Sequence, residues 1–126
     1  EQDLGGVITL SDHQWSINIG ELLEYVESNK VICLNAIRSS QGYRIEELFY
    51  AKIKGCMASY LLSLCKRSSL EIKNIELISD CYTISMLAII KSWLDGTISC
   101  SREELLSLFE QTIEGSVASV IESFDK

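Results

Sequence analysis

Ser11, Asp12 and His13 supply, in consecutive positions, the residue types of a nucleophile, an orienting acid and a base. A catalytic relay needs those side chains to converge on one point from separate places in the fold, and three neighbours in a polar stretch do not converge. The better reading is a set of exposed polar residues. His13 is the single histidine, so a histidine-rich zinc site is excluded, and a thiolate site would need cysteines from different helices to meet. Glu46-Glu47 and Glu103-Glu104 are adjacent carboxylates, but each pair falls in the first turns of an expected helix, where the helix dipole favours negative charge. A paired-acid hydrolase needs two carboxylates facing one cleft, which these positions do not imply. Gly5-Gly6 lacks the following Gly-Lys-Ser/Thr of a phosphate loop. The expectation is no catalysis, no metal and no cofactor.

What remains is a group of aromatic and soft side chains inside apolar periodic segments: Tyr50, Cys56, Met57, Tyr60, Tyr82 and Met86, with Trp93 beyond them. Such residues line ligand cavities in helical bundles, where aromatic walls give apolar contact and a phenol fixes orientation. They also fill cores, and periodicity alone does not separate the two. The first six are the candidate pocket residues.

Those side chains need helices to hold them. The chain has no proline, so breaks must be read from glycine and from polar clusters. Residues 1–14 read as a connector or frayed entry and residues 15–126 as one helical domain. Asn18 with Glu21 suggests a cap ahead of Ile19, Leu22, Leu23 and Val26, with a stop near Ser28-Asn29. A short helix follows from Val31 to Arg38, with Val31, Leu34 and Ile37 on one face. From Ile45 to Cys65 a long stripe (Phe49, Ile53, Cys56, Met57, Tyr60, Leu61, Leu64) faces a core, and Gly55 in its middle suggests a close neighbour or a ligand edge. Ser68 with Glu71 suggests another cap. The helix from about Leu70 to Leu94 is apolar on two sides, one stripe running through Ile75, Ile78, Tyr82, Met86, Ile89 and Trp93, the other through Leu77, Cys81, Ile84 and Ala88. A helix apolar over that much of its circumference is buried between layers, and the second layer can come from another subunit.

The stretch Ile84 to Phe109 compresses a helix end, a turn and a helix start. Trp93-Leu94 closes one helix, Asp95-Gly96 supplies a residue suited to the left-handed conformation, and Ser101 stands three residues before Glu104 as a capping box. The last helix, about Arg102 to Ser123, has a large face (Leu105, Phe109, Ile113, Val117, Val120, Phe124) and a strip of small residues (Thr112, Gly115, Ser116, Ser119).

Trp93, Leu94, Gly96, Ser101, Glu104 and Leu105 form a pattern that resembles the last two helices of the C-terminal domain of tetracycline-repressor (TetR) family transcription regulators. The subgroup nearest in pattern is the dihydroxyacetone-kinase regulators. The resemblance implies an all-α antiparallel bundle of about five helices that binds an effector and forms a homodimer, the last two helices pairing with the same two of a second copy. Ile84, Ala88, Trp93, Ile113, Ser116, Val117 and Val120 are then the candidate dimer residues. The implied effector is a small apolar or amphipathic molecule entering the bundle around the Ile45 to Cys65 helix.

Composition sets bounds on these readings. At 126 residues one domain is expected, burying roughly 65 to 70% of the surface its unfolded form exposes. A net charge of −7 argues against this chain alone gripping a phosphate backbone, which takes clustered Lys and Arg. Contact with DNA is therefore expected only through a helix-turn-helix domain that this sequence does not include. Five cysteines without a C-x-x-C pair read as reduced thiols, which together with the lack of a secretory leader suggests a cytoplasmic protein. No membrane span is expected, the longest apolar run being interrupted by Lys91 and Asp95. A helical adaptor that binds another protein, without a small-molecule ligand, is the alternative.

Overall fold

With no proline to remove a backbone donor, the hydrogen-bond ladder runs unbroken over long segments. The computed structural model describes the backbone of residues 2–39, 42–64 and 72–125, and the side chains of 14–39, 44–64, 74–120 and 122–123. Among the described residues it has five helices and no strand: α1 (Gln2–Ser28), α2 (Lys30–Arg38), α3 (Gly42–Leu64), α4 (Ile72–Leu94) and α5 (Arg102–Asp125).

Side-chain pairings fix the directions of the helices. Glu46 of α3 meets Lys91 of α4, and Lys54 meets Asp80, so the sequence numbers run oppositely and the two helices are antiparallel. The α1–α3 pair is antiparallel on the same logic, with the Trp15 and Tyr60 rings 5.5 Å apart in a tilted pair and Asn18 beside Cys56. Between α1 and α5, Arg102 pairs with Glu27, while Gly20 lies opposite Leu106. A Cβ at Gly20 would come within 3.2 Å of Leu106 Cδ2, so glycine lets α1 and α5 approach.

The core is the sum of one stripe per helix. Trp15, Ile19, Leu23 and Val26 come from α1, Cys33 from α2, and Phe49, Ile53, Met57 and Leu61 from α3. To these α4 adds Ile75, Met86, Ile90 and Leu94, and α5 adds Leu105, Phe109, Ile113 and Val117.

Four expectations are corrected. Residues 2–14 are helical and continuous with α1 rather than a connector, because Gly5-Gly6 weakens a helix by only about 1 kcal/mol per glycine and leaves every donor in place. Asn18 caps nothing; it sits inside α1, accepting from Gln14 Nε2 at 3.1 Å. On α2 the buried residue is Cys33, whereas Val31 is 70% exposed. A Cβ at Gly55 would meet nothing within 4 Å, so no close neighbour requires that glycine. The predicted Ser68-Glu71 cap lies outside the described residues.

By length and composition Asn74–Leu94 reaches what a membrane-crossing helix needs, contrary to the expectation from its interrupted apolar run. Within this fold one side of it is core, and Asp80 and Lys91 on it are held in ion pairs.

Candidate functional site

The α4–α5 hairpin is built by local chemistry. Gly96 has φ +87, a conformation that costs a residue with a Cβ roughly 1–2 kcal/mol. Its N–H donates to Trp93 O at 3.3 Å, Ile98 N–H donates to Ser92 O at 3.0 Å, and Thr97 N–H donates to Asp95 Oδ1 at 2.9 Å. The Thr97 side chain first, and its backbone N–H second, hold the Asp95 carboxyl below the usual carboxylate range. The indole N–H of Trp93 donates to Cys100 O at 3.0 Å and ties the loop down. Ser101 and Glu104 form the capping box in both directions, Glu104 N–H to Ser101 Oγ at 3.0 Å and Ser101 N–H to Glu104 Oε1 at 2.9 Å.

Beyond the turn, α4 and α5 leave a groove of about 560 Å³ between them, lined chiefly by Tyr82, Met86, Ile89, Leu105, Leu108 and Phe109. Tyr82 Oη and Ser116 Oγ lie 2.6 Å apart and join the helices towards its far end. Next to this groove the second stripe of α4 is uncovered. Leu77 is 61% and Ile84 59% exposed, and Cys81 and Ala88 are exposed with them. Their spacing of four, three and four residues is that of the seam one helix offers to another. On α5, Leu108 is 56% exposed, and Thr112, Gly115, Ser116 and Ser119 stand exposed beyond it.

A second groove, about 390 Å³, lies between α1 and α3, lined by Gln14, Trp15 and Asn18 on one side and Lys52, Gly55, Cys56, Ser59 and Tyr60 on the other. Burial pushes the Cys56 thiol above its ordinary value, so the sulfur is a neutral hydrogen-bonding group at neutral pH.

The six pocket candidates are thus divided. Cys56 and Tyr60 line the α1–α3 groove, and Tyr82 and Met86 line the α4–α5 groove. Met57 is fully buried as core. Tyr50 lies on the α3–α4 surface, its hydroxyl donating to Asp80 Oδ1 at 2.7 Å beside Lys54 Nζ at 2.9 Å. The hydrogen bond from Tyr50, then that from Lys54, holds the Asp80 carboxyl below the usual range, and the bond to Asp80 raises both the phenol and the ammonium. This cluster stitches two helices, and none of its three residues lines either groove.

Of the seam candidates, Ile84, Ala88 and Ser116 are exposed and Val120 is half-buried. Ile113 and Val117 are instead buried in the chain's own core, because they continue the Leu105-Phe109 stripe. Trp93 is turned into its own hairpin by the Cys100 bond. Trp15 and Leu108 were not singled out from the sequence; the spacing of Trp15 with Ile19, Leu22, Leu23 and Val26 was the available signal for the first. Among the described residues no cluster of His, Cys, Asp or Glu is arranged to hold a metal.

A sequence model of the TetR C-terminal type, described as "Transcriptional regulator C-terminal region", matches residues 13–115. No curated protein and no solved structure matches the chain.

Proposed function

The chain belongs to this family of TetR-type transcriptional regulator C-terminal regions, and on that premise we propose that it senses a small effector and pairs with a second copy of itself through α4 and α5. The observation that carries the reading is the uncovered apolar seam Leu77, Cys81, Ile84 and Ala88 beside an apolar groove. Apolar surface at a/d spacing is what one helix presents to another, and the small residues of α5 (Gly115, Ser116, Ser119) let a partner helix come close. A two-fold axis places the same patch on both copies, giving a four-helix bundle with Leu108 and Ile84 directed into the neighbour's groove.

An effector would act by binding one dimer geometry better than another. The connection runs through α3, one wall of the α1–α3 groove, which is joined to α4 by the Tyr50-Asp80, Lys54-Asp80 and Glu46-Lys91 contacts. A displacement of α3 by ligand is thereby delivered to the seam. In the complete regulator that change would alter the spacing of two DNA-reading domains. The protein is read as cytoplasmic, with α4 as a core and interface helix and no enzymatic role.

Sedimentation equilibrium tests the pairing: a species of twice the 14.2 kDa chain mass is expected at micromolar concentration. A monomer at those concentrations overturns the reading and favours an adaptor that uses the same seam for a different protein.

A further inference from the structure

The α4–α5 hairpin is held open. Past the turn, α4 packs on α3 and α5 packs on α1, and among the described residues the backbones of α4 and α5 come close to each other almost nowhere. Two side-chain bonds bound the gap between them: Trp93 N–H to Cys100 O at 3.0 Å by the turn, and the Tyr82 Oη and Ser116 Oγ pair at 2.6 Å farther along. The groove of about 560 Å³ occupies this stretch and is in the range of small-molecule sites. Its α4 wall, from Tyr82 to Ile89, is roughly 10 Å long at the helical rise.

The lining sets the chemistry of an occupant. Tyr82 and Phe109 supply aromatic surface, Met86 a side chain that adapts its shape, and Ile89, Leu105 and Leu108 aliphatic surface. Among the described residues that line the groove none carries a formal charge. A charged ligand would lose its hydration there without a counter-ion, and the net charge of −7 sets the wider field against anions. An uncharged apolar molecule is favoured by burial alone.

We propose that the α4–α5 groove is a regulatory site for a neutral, largely apolar small molecule, which competes there with the partner's Leu108 and Ile84 and so weakens pairing. This rests on the pairing proposed above and adds a ligand that acts at the seam directly, without passing through α3. By linkage, the factor by which the molecule loosens the pair is the factor by which pairing loosens the molecule.

The test uses N-phenyl-1-naphthylamine, a neutral dye that fluoresces in apolar surroundings, and its sulfonated twin 8-anilino-1-naphthalenesulfonate, on the whole chain in native form and as Ile84→Asp. Ile84 is not among the residues lining the groove, so that variant separates the copies and keeps the site. The amine should bind saturably at one per chain. It should bind Ile84→Asp about tenfold more tightly than native protein held about a hundredfold above its dimer dissociation constant, and it should shift the native chain towards the single-copy mass in sedimentation. The sulfonate should bind at least about tenfold more weakly than the amine. Thr112→Trp and Ser85→Trp, each made in the Ile84→Asp chain, put a large ring at an exposed lining position on either wall; each should abolish binding of the amine, with the fold unchanged by circular dichroism. Amine binding that survives both tryptophans overturns the site, and equal binding of the two dyes overturns the ligand class. Equal affinity for the native dimer and Ile84→Asp overturns the competition, and no binding overturns the proposal whole. All four leave pairing standing so long as the dye-free native chain sediments as a pair. A dye-free native chain that sediments singly overturns pairing and the competition with it, while binding that either tryptophan blocks still supports the site.

Discussion

Replacing Ile84 with aspartate should split the dimer and leave the protomer folded. Ile84 is 59% exposed in the single chain, and full burial of such a side chain is worth about 1.5–3 kcal/mol. The part still free to be buried contributes about 1 kcal/mol per copy, allowing for the Cβ that alanine keeps. The two-fold axis counts it twice, so Ile84→Ala should cost the dimer about 2 kcal/mol, roughly thirtyfold in dissociation constant. Ile84→Asp adds two like charges, desolvated and unpaired, at one seam and should push association beyond the micromolar range. Sedimentation equilibrium gives the constant, and circular dichroism gives the fold. The thermal midpoint of the native chain should rise with concentration, as mass action requires of a dimer, and that of Ile84→Asp should not. Val117→Asp is the contrast, because Val117 is fully buried in the protomer; a charge there should cost several kcal/mol and unfold the chain. An Ile84→Asp protein that dimerises as tightly as the native one, or that unfolds as Val117→Asp does, refutes the reasoning.

Ser101→Ala removes the acceptor for Glu104 N–H and should lower stability by about 1 kcal/mol in urea denaturation. Gly96→Ala forces a Cβ into φ +87 and should cost about 1–2 kcal/mol by the same assay, with an unchanged denaturant slope. Asp80 has its carboxyl held below the ordinary range by Tyr50 and Lys54, so its ionised form stabilises the fold at neutral pH. That contribution is lost as pH falls below the ordinary carboxylate value and through the lower folded-state one. Asp80→Asn should therefore be less stable than the native chain at pH 7, the gap narrowing as pH falls below the ordinary carboxylate value.

The features legible in the sequence were those decided within a few residues of each other. The Ser101-Glu104 box and the Gly96 turn depend on local hydrogen bonds and one dihedral angle, so residue types at fixed spacing sufficed. The two stripes of α4 were legible too, since the helical period sorts side chains into faces: the Ile75-Met86 face is turned to the core and the Leu77-Ile84 face is uncovered. Periodicity does not say what lies opposite a face. Tyr50, Tyr60 and Tyr82 looked alike from their sequence settings, yet they meet Asp80, Trp15 and Ser116 respectively. Ile113 and Val117 lie on the large face of α5 and count as dimer residues by the family resemblance, whereas that face, with Leu105 and Phe109, is buried in the protomer's own core. The beginning of α1 was misread because paired glycines and a polar cluster resemble a loop. Without proline, nothing in that segment removes a backbone hydrogen bond.

The most direct measurement is an isotope-filtered NOE experiment on dimers mixed from labelled and unlabelled chains, which reports only contacts between copies. The account predicts intermolecular NOEs from Ile84, Ala88, Leu108 and Ser116 to the same two helices of the partner. Intermolecular contacts confined to α1, α2 or α3, or none in a chain that sediments as a single copy, would contradict it.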